Sequence, residues 1–184
     1  MSGDAPGAHR AYAPASVGCA VLTVSDSRTV ENDTSGKAIR ERLEAAGHRV
    51  VEHQIVSDDR EAIQLAVLRA LAHAGVDAVI ATGGTGVSPR DVTPEAVAPL
   101  LDKELAGFGE LFRMLSFQEI GSAALLSRAL AGTSAGKAVF VMPGSSGAVK
   151  LGMERLIVPE LAHVVGQLRR TDSAPSGHGE RHRK

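Results

Sequence analysis

Val76-Asp77-Ala78-Val79-Ile80-Ala81-Thr82-Gly83-Gly84-Thr85-Gly86 decides how the rest of the chain is read. Val76 to Ala81 is an apolar run of strand length, and it feeds directly into a glycine turn. Gly83, Gly84 and Gly86 let the backbone take positive φ and bring amide N–H groups close to an anion, while Thr82, Thr85 and Ser88 add hydroxyl donors. Arg90 then brings positive charge, and Asp91 brings a carboxylate able to hold a cation. Thr93-Pro94-Glu95 reads as a helix start, a capping residue followed by proline at the first helical position. Strand, glycine turn and helix in that order predict an α/β unit that binds a phosphorylated small molecule.

The same rhythm extends outward. Gly18 to Val24 reads as a strand, followed by a helix from about Ser35 to Ala46 in which Ile39, Leu43 and Ala46 share a face and Gly47 supplies the stop. Val50 to Val56 is a second strand. Asp58 then caps a helix with Glu61 three residues on, and Ile63, Val67, Ala70, Leu71 and Ala74 form its buried stripe up to Gly75. Lys137 to Met142 is a further strand, entering the loop Pro143-Gly144-Ser145-Ser146-Gly147 and a helix from about Ala148 that breaks near Pro159. Such alternation requires right-handed crossovers and a mostly parallel sheet with helices on both faces. No internal repeat argues for a solenoid.

Composition narrows the classes. A chain of 184 residues, 43% hydrophobic and 22% charged, builds one domain, assigned to 17–170, with flexible tails over 1–16 and 171–184. His178, Arg181, His182 and Lys184 belong to that second tail and read as solvated charge rather than as a metal or anion site. The net charge of −1 lacks the basic excess that nucleic-acid binding needs. Cys19, the sole cysteine, lies in an apolar run and reads as a buried inert thiol. With no signal-peptide pattern and no long apolar stretch, the expectation is a cytoplasmic protein without membrane contact. His48 and His53 fall on opposite faces of one strand, so no structural zinc is expected there.

In open α/β sheets ligands bind beyond the carboxyl ends of the strands. Four loops are predicted at that edge: Ser25-Asp26-Ser27-Arg28, Ser57-Asp58-Asp59, Thr82 to Asp91, and Pro143 to Gly147. Asp26, Asp58, Asp59 and Asp91 would project from neighbouring loops there, in the way a magnesium-phosphate site gathers its few carboxylates. Asp58 alone reads equally as a helix cap and as a catalytic group. Two common phosphate motifs fail on spacing. The dinucleotide fingerprint starting at Gly84 would need glycine where Pro89 stands, and Gly132 to Lys137 is one residue short of a P-loop and precedes a strand. Lys137 reads as a solvated strand-edge residue.

Three motifs in order, Thr82-Gly83-Gly84-Thr85-Gly86, Arg90-Asp91-Val92-Thr93-Pro94-Glu95-Ala96 and Gly107-Phe108-Gly109-Glu110-Leu111-Phe112-Arg113, resemble the molybdopterin-binding family of molybdenum cofactor biosynthesis over roughly Gly18 to Gln167. Arg113 to Gly121 and Pro143-Gly144-Ser145-Ser146 look like the protein B branch of that family, whereas the dedicated adenylyltransferase branch more often has proline where Ser146 stands. The resemblance implies a Rossmann-like, three-layer α/β/α subunit in a homotrimer or a hexamer of trimers, working with other cofactor-biosynthesis proteins. It further implies molybdopterin as substrate or ligand, ATP as co-substrate, Mg2+ as cofactor, and AMP transfer to the terminal phosphate of molybdopterin. By the same resemblance Asp58 and Asp91 are the catalytic and magnesium-holding carboxylates. Thr82, Gly83, Gly84, Thr85, Gly86, Ser88, Arg90, Ser25 and Asp26 bind molybdopterin, and Pro143, Gly144, Ser145, Ser146 and Gly147 approach the nucleotide. The protein B features leave a second class open, a non-enzymatic molybdopterin carrier or assembly component. A third, an unrelated nucleotide-binding regulator, would make the order of the three motifs a coincidence.

Overall fold

The structure is a computed structural model that describes residues 13–170. The tails expected over 1–16 and 171–184 therefore lie outside the described residues, as do His178, Arg181, His182 and Lys184, except that 13–16 run as irregular chain into the first strand.

Strands β1 (Gly18–Val24), β2 (Arg49–Val56), β3 (Ala78–Thr82), β4 (Lys103–Glu104), β5 (Leu130–Ser134) and β6 (Lys137–Met142) form one sheet in the order β2-β1-β3-β6-β5-β4. The first four in that order are parallel, and β5 and β4 extend the edge antiparallel. Helices α1 (Thr34–Ala45), α4 (Ala106–Ile120), α5 (Ser146–Gly152) and α6 (Val158–Leu168) cover one face, and α2 (Arg60–Ala72) and α3 (Thr93–Val97) the other. This is the α/β fold with a mostly parallel sheet that the sequence predicts.

Side-chain alternation builds the two cores. Cys19 and Val21 of β1, Ile80 of β3 and Phe140 of β6 face Ile39 and Leu43 of α1, Phe112 of α4 and Leu161 of α6. The alternate residues Ala20, Leu22, Val79 and Val141 face Ile63 and Val67 of α2 and Val97 of α3. Each fully buried Leu, Ile or Phe contributes about 1.5–3 kcal/mol. Cys19 is buried, and burial pushes its thiol up to about 12, which keeps it protonated.

Three local expectations are corrected. Asp59 caps α2, accepting a hydrogen bond from the Ala62 N–H at 2.9 Å, and Asp58 is left free of that duty. Val92 is the capping position of α3 with no side-chain bond, so Pro94 is the second helical residue, not the first. The last helix does not break at Pro159. It starts at Ser146, capped by Ser145, and continues into α6 through a π turn at Met153–Ile157, where the Val158 N–H donates to Met153 O five residues back. Widening the turn just before Pro159 accommodates a residue that has no N–H to give. Strands β4 and β5, the latter joined to β6 by a two-residue turn with positive φ at Ala135 and Gly136, are additional to the sequence reading. Among the described residues no helix is long and apolar enough to cross a membrane.

Candidate functional site

The chain passes from β1 outward to β2 and then crosses back over β1 to β3, so the strand order reverses between β1 and β3. That reversal opens a crevice at the carboxyl ends of the two strands. All four loops expected at the site leave the carboxyl ends of parallel strands; three of them contribute to a cleft of about 240 Å³ lined by Ser25, Ser27, Arg28, Thr82, Gly83 and Gly144 among others, and the Ser57 to Asp59 loop joins them through Asp26.

The glycine turn is fixed by close approach. Gly83 has φ of 100°, and a Cβ there would stand 2.2 Å from the Val24 carbonyl oxygen. Only glycine lets β3 turn against the end of β1. The Gly83 N–H donates to Met142 O at 3.2 Å and the Thr82 hydroxyl donates to Pro143 O at 3.1 Å, so these two donors tie the turn to the loop after β6. Ser35 reinforces that tie, its hydroxyl donating to Gly144 O at 2.7 Å. Ser145 caps α5, so the positive end of the continuous helix 146–168 lies beside the turn.

The carboxylates divide into distinct roles. The Asp26 N–H donates to Asp58 Oδ2 and the Asp58 N–H donates to Asp26 Oδ1, both at 3.1 Å, which locks the loops after β1 and β2 together. Arg90 pairs with Asp26 across the mouth. Asp58 Oδ1 and the Thr93 hydroxyl oxygen lie 2.9 and 2.4 Å from where a Gly84 Cβ would be, and that hydroxyl is buried with no hydrogen-bond partner among the described residues. Burial, helped by the charges of Asp26 and Asp91, raises the Asp58 carboxyl above its ordinary value against the opposing pull of the Asp26 N–H and Arg90. Asp91 is held below its ordinary value, first by the Ser88 hydroxyl and then by the Ser88 and Gly86 N–H groups and Arg128. Its carboxylate thus closes its own loop, with the Ser88 N–H donating to Oδ2 at 2.9 Å. Asp59 faces α2 instead of the crevice.

Among the described residues no group of three or more His, Cys, Asp or Glu is set to hold a metal ion. The Asp58 and Asp91 carboxylates each accept a backbone N–H, from Asp26 and from Ser88 respectively.

Beneath the site lies a cluster the sequence reading missed. Asp33 caps α1 by accepting from the Gly36 N–H at 2.8 Å, and also accepts from the Thr23 hydroxyl at 2.7 Å and contacts His53 Nε2 at 2.8 Å. Burial pushes its carboxyl up, but the Gly36 N–H, the Thr23 hydroxyl and His53 outweigh it and leave the group below its ordinary value. The Asp33-Thr34-Ser35 start of a helix was a legible capping signal. Arg128 was also missed. It donates from Nε to Thr85 O at 3.0 Å and from Nη2 to Asp91 O at 2.8 Å, and pairs with Glu95, contacts that no local pattern announces.

The family model described as a probable molybdopterin binding domain matches residues 20–163. Molybdenum cofactor biosynthesis protein B of Bacillus cereus is 55% identical over 163 residues, covering 88% of this chain and 96% of that protein. A crystal structure of molybdenum cofactor biosynthesis protein B superposes with a TM-score of 0.84 at 56% identity, over 86% of this chain and 99% of the other. The tungsten cofactor synthesizing protein MoaB from Pyrococcus furiosus gives 0.78 at 40% identity, over 86% and 100%.

Proposed function

The chain belongs to the molybdopterin-binding domain family, and on that premise we propose that it works in molybdenum cofactor biosynthesis in the cytoplasm, binding molybdopterin at the β1–β3 crevice and adenylylating it with ATP. The observation that carries this reading is the paired Asp26 and Asp58 beside Asp91 at a strand-order reversal, opposite the N-terminal end of the helix that starts at Ser146. Carboxylates on one wall and a helix N-terminus with glycine-rich backbone on the other suit a magnesium-bound triphosphate meeting a second phosphate.

In the transfer, a terminal phosphate oxygen of molybdopterin attacks the α-phosphorus of ATP in line. The new P–O–P link forms as the α–β anhydride bond breaks and diphosphate leaves. No covalent enzyme intermediate is required, so the chain contributes position and charge. The glycine turn and Ser88, with Arg90, hold the molybdopterin phosphate, and the Pro143 to Gly147 loop approaches the nucleotide. Asp58 and Asp91 would hold Mg2+, which when bound supplies charge neutralisation on the phosphates. Asp58 is positioned for this by the Asp26 N–H.

One observation favours a second reading, a non-catalytic carrier: the Asp91 carboxylate already serves its own loop through Ser88 and Gly86. Thermal shifts separate the two. Transfer expects molybdopterin and magnesium-ATP each to stabilise the protein, with Asp91→Ala weakening the ATP effect. A molybdopterin shift with no ATP shift favours the carrier.

The resemblance also implies self-association. Leu111, Met114, Phe117 and Ile120 recur along the exposed side of α4 and continue into Leu125 and Leu126, all solvent-facing. A contiguous apolar patch of this kind marks an interface, and its proposed occupant is a second copy of the chain within a trimer or hexamer.

A further inference from the structure

Residues 85–91 leave the glycine turn and return to α3 as a projecting loop, with Val87 69% exposed. Its internal bonds converge on Asp91: the Ser88 N–H donates to Asp91 Oδ2, the Ser88 hydroxyl and the Gly86 N–H also serve that carboxylate, and the Asp91 N–H donates to Ser88 O at 3.0 Å. At its base the Thr93 N–H donates to Gly84 O at 2.9 Å. Arg90 pairs with Asp26 on the loop after β1, and three further anchors come from one side chain far along the sequence. Arg128 stands between the 3-10 turn Gly121–Leu126 and β5, and its guanidinium reaches Thr85 O at the outgoing foot of the loop, Asp91 O at the returning foot, and the Glu95 carboxylate on α3.

We infer that Arg128 is a positioning residue for the proposed molybdopterin site, a clamp that holds the two feet of the 85–91 loop together and so sets where Ser88, Arg90 and Asp91 stand. Three different nitrogens of one planar group point at three acceptors on two elements, which fixes the loop's span and its angle to α3 at once. Lysine cannot do this, because its donors radiate from one point at the end of a flexible stem. Glu95 steers the fork, and the Arg128 contact in turn is the main cause holding the Glu95 carboxyl below its ordinary value. All three of its contacts are to the protein's own atoms, so the clamp acts through the loop.

The inference rests on the molybdopterin reading for its ligand arm but has a ligand-free arm. In the unliganded full-length protein, Arg128→Lys should speed backbone amide exchange at Ser88 and Asp91 by about tenfold or more while leaving the β3 amides unchanged. The same variant should raise the Kd for molybdopterin about tenfold, with a smaller rise for magnesium-ATP carried through Asp91; with the β3 amides unchanged, general loss of stability would not produce this. Glu95→Ala keeps the guanidinium and both carbonyl bonds, and should move each readout in the same direction by about twofold to threefold; it carries the test if Arg128→Lys fails to fold. Unchanged exchange and unchanged molybdopterin affinity in both variants would overturn the clamp, as would faster exchange that extends to the β3 amides. A wild-type protein that binds no molybdopterin would sink the reading of the site, and the exchange rates alone would then decide the clamp.

Discussion

Asp26 and Asp58, 32 residues apart, each donate a backbone N–H to the other's carboxylate at 3.1 Å. The exchange welds the loops after β1 and β2 along one side of the crevice and keeps two acidic groups side by side, against their mutual repulsion. Arg90 offsets part of that repulsion through Asp26. Holding two carboxylates side by side costs the fold some stability, which a cation bound between them would offset.

Asp58→Asn should therefore stabilise the ligand-free protein while reducing its function. Because the folded-state Asp58 carboxyl is raised, ionisation at neutral pH opposes folding, and that penalty fades as pH falls through the raised value toward the ordinary one. The variant should melt about one or two degrees above wild type at pH 7, with the gap closing near pH 4. Calorimetric melts at the two pH values check this, and a lower melting temperature for the variant at pH 7 would contradict it.

Asp33 has the opposite sign. Its carboxyl is lowered in the fold, so its contribution is fully present above the ordinary carboxylate value and is lost as pH falls through the lowered one. Asp33→Asn keeps an oxygen that can cap α1 but puts an amide NH2 where Oδ2 accepts from Thr23 and contacts His53, and should lower stability by about 2 kcal/mol at neutral pH while flattening the acid arm of the stability profile. Urea titrations between pH 3 and about pH 7 measure both effects. An acid arm identical to wild type would show that the cluster carries no linked proton.

Gly83 and Gly86 differ in what they protect. Alanine at Gly83 meets the Val24 carbonyl at 2.2 Å with φ at 100°, a backbone clash expected to cost about 3 kcal/mol or more. Alanine at Gly86 meets only the Asp91 carboxylate, at 2.7 Å, which can swing aside. Gly83→Ala should fail to fold or melt much earlier, whereas Gly86→Ala should keep its melting temperature within a few degrees and lose ligand affinity. Circular-dichroism melts beside binding titrations separate the two.

The apolar side of α4 gives a prediction about assembly. Phe117→Asp places a charge at the centre of the Met114, Phe117 and Ile120 patch without touching the core, since Phe117 is 62% exposed. Light scattering after size exclusion should find the wild type as a trimer or hexamer and the variant as a monomer of unchanged helix content. A monomeric wild type would remove the proposed interface.

Much of this was legible because buried parallel strands announce themselves. Gly18–Val24 and Lys137–Met142 match the sequence reading to the residue, each a largely apolar run, the second set between Gly136 and Pro143. β5 escaped because Gly132 interrupts it, a glycine required where a Cβ would stand 2.5 Å from Lys103 O. The loops of the site were likewise readable from strand ends, but the division of labour between Asp58 and Asp59 was not. Either can cap a helix by sequence, and only the course of the chain after β2 turns Asp59 to the helix and Asp58 to Asp26. Arg128 and Thr85 are 43 residues apart, and a contact of that range leaves no periodic trace.

The most direct test of the account is turnover. Purified protein incubated with molybdopterin, ATP and Mg2+ should yield adenylyl-molybdopterin and diphosphate in equal amounts, with Asp58→Asn slower by about a hundredfold or more at retained fold. Molybdopterin bound at the crevice with neither product formed would contradict adenylylation and leave a carrier.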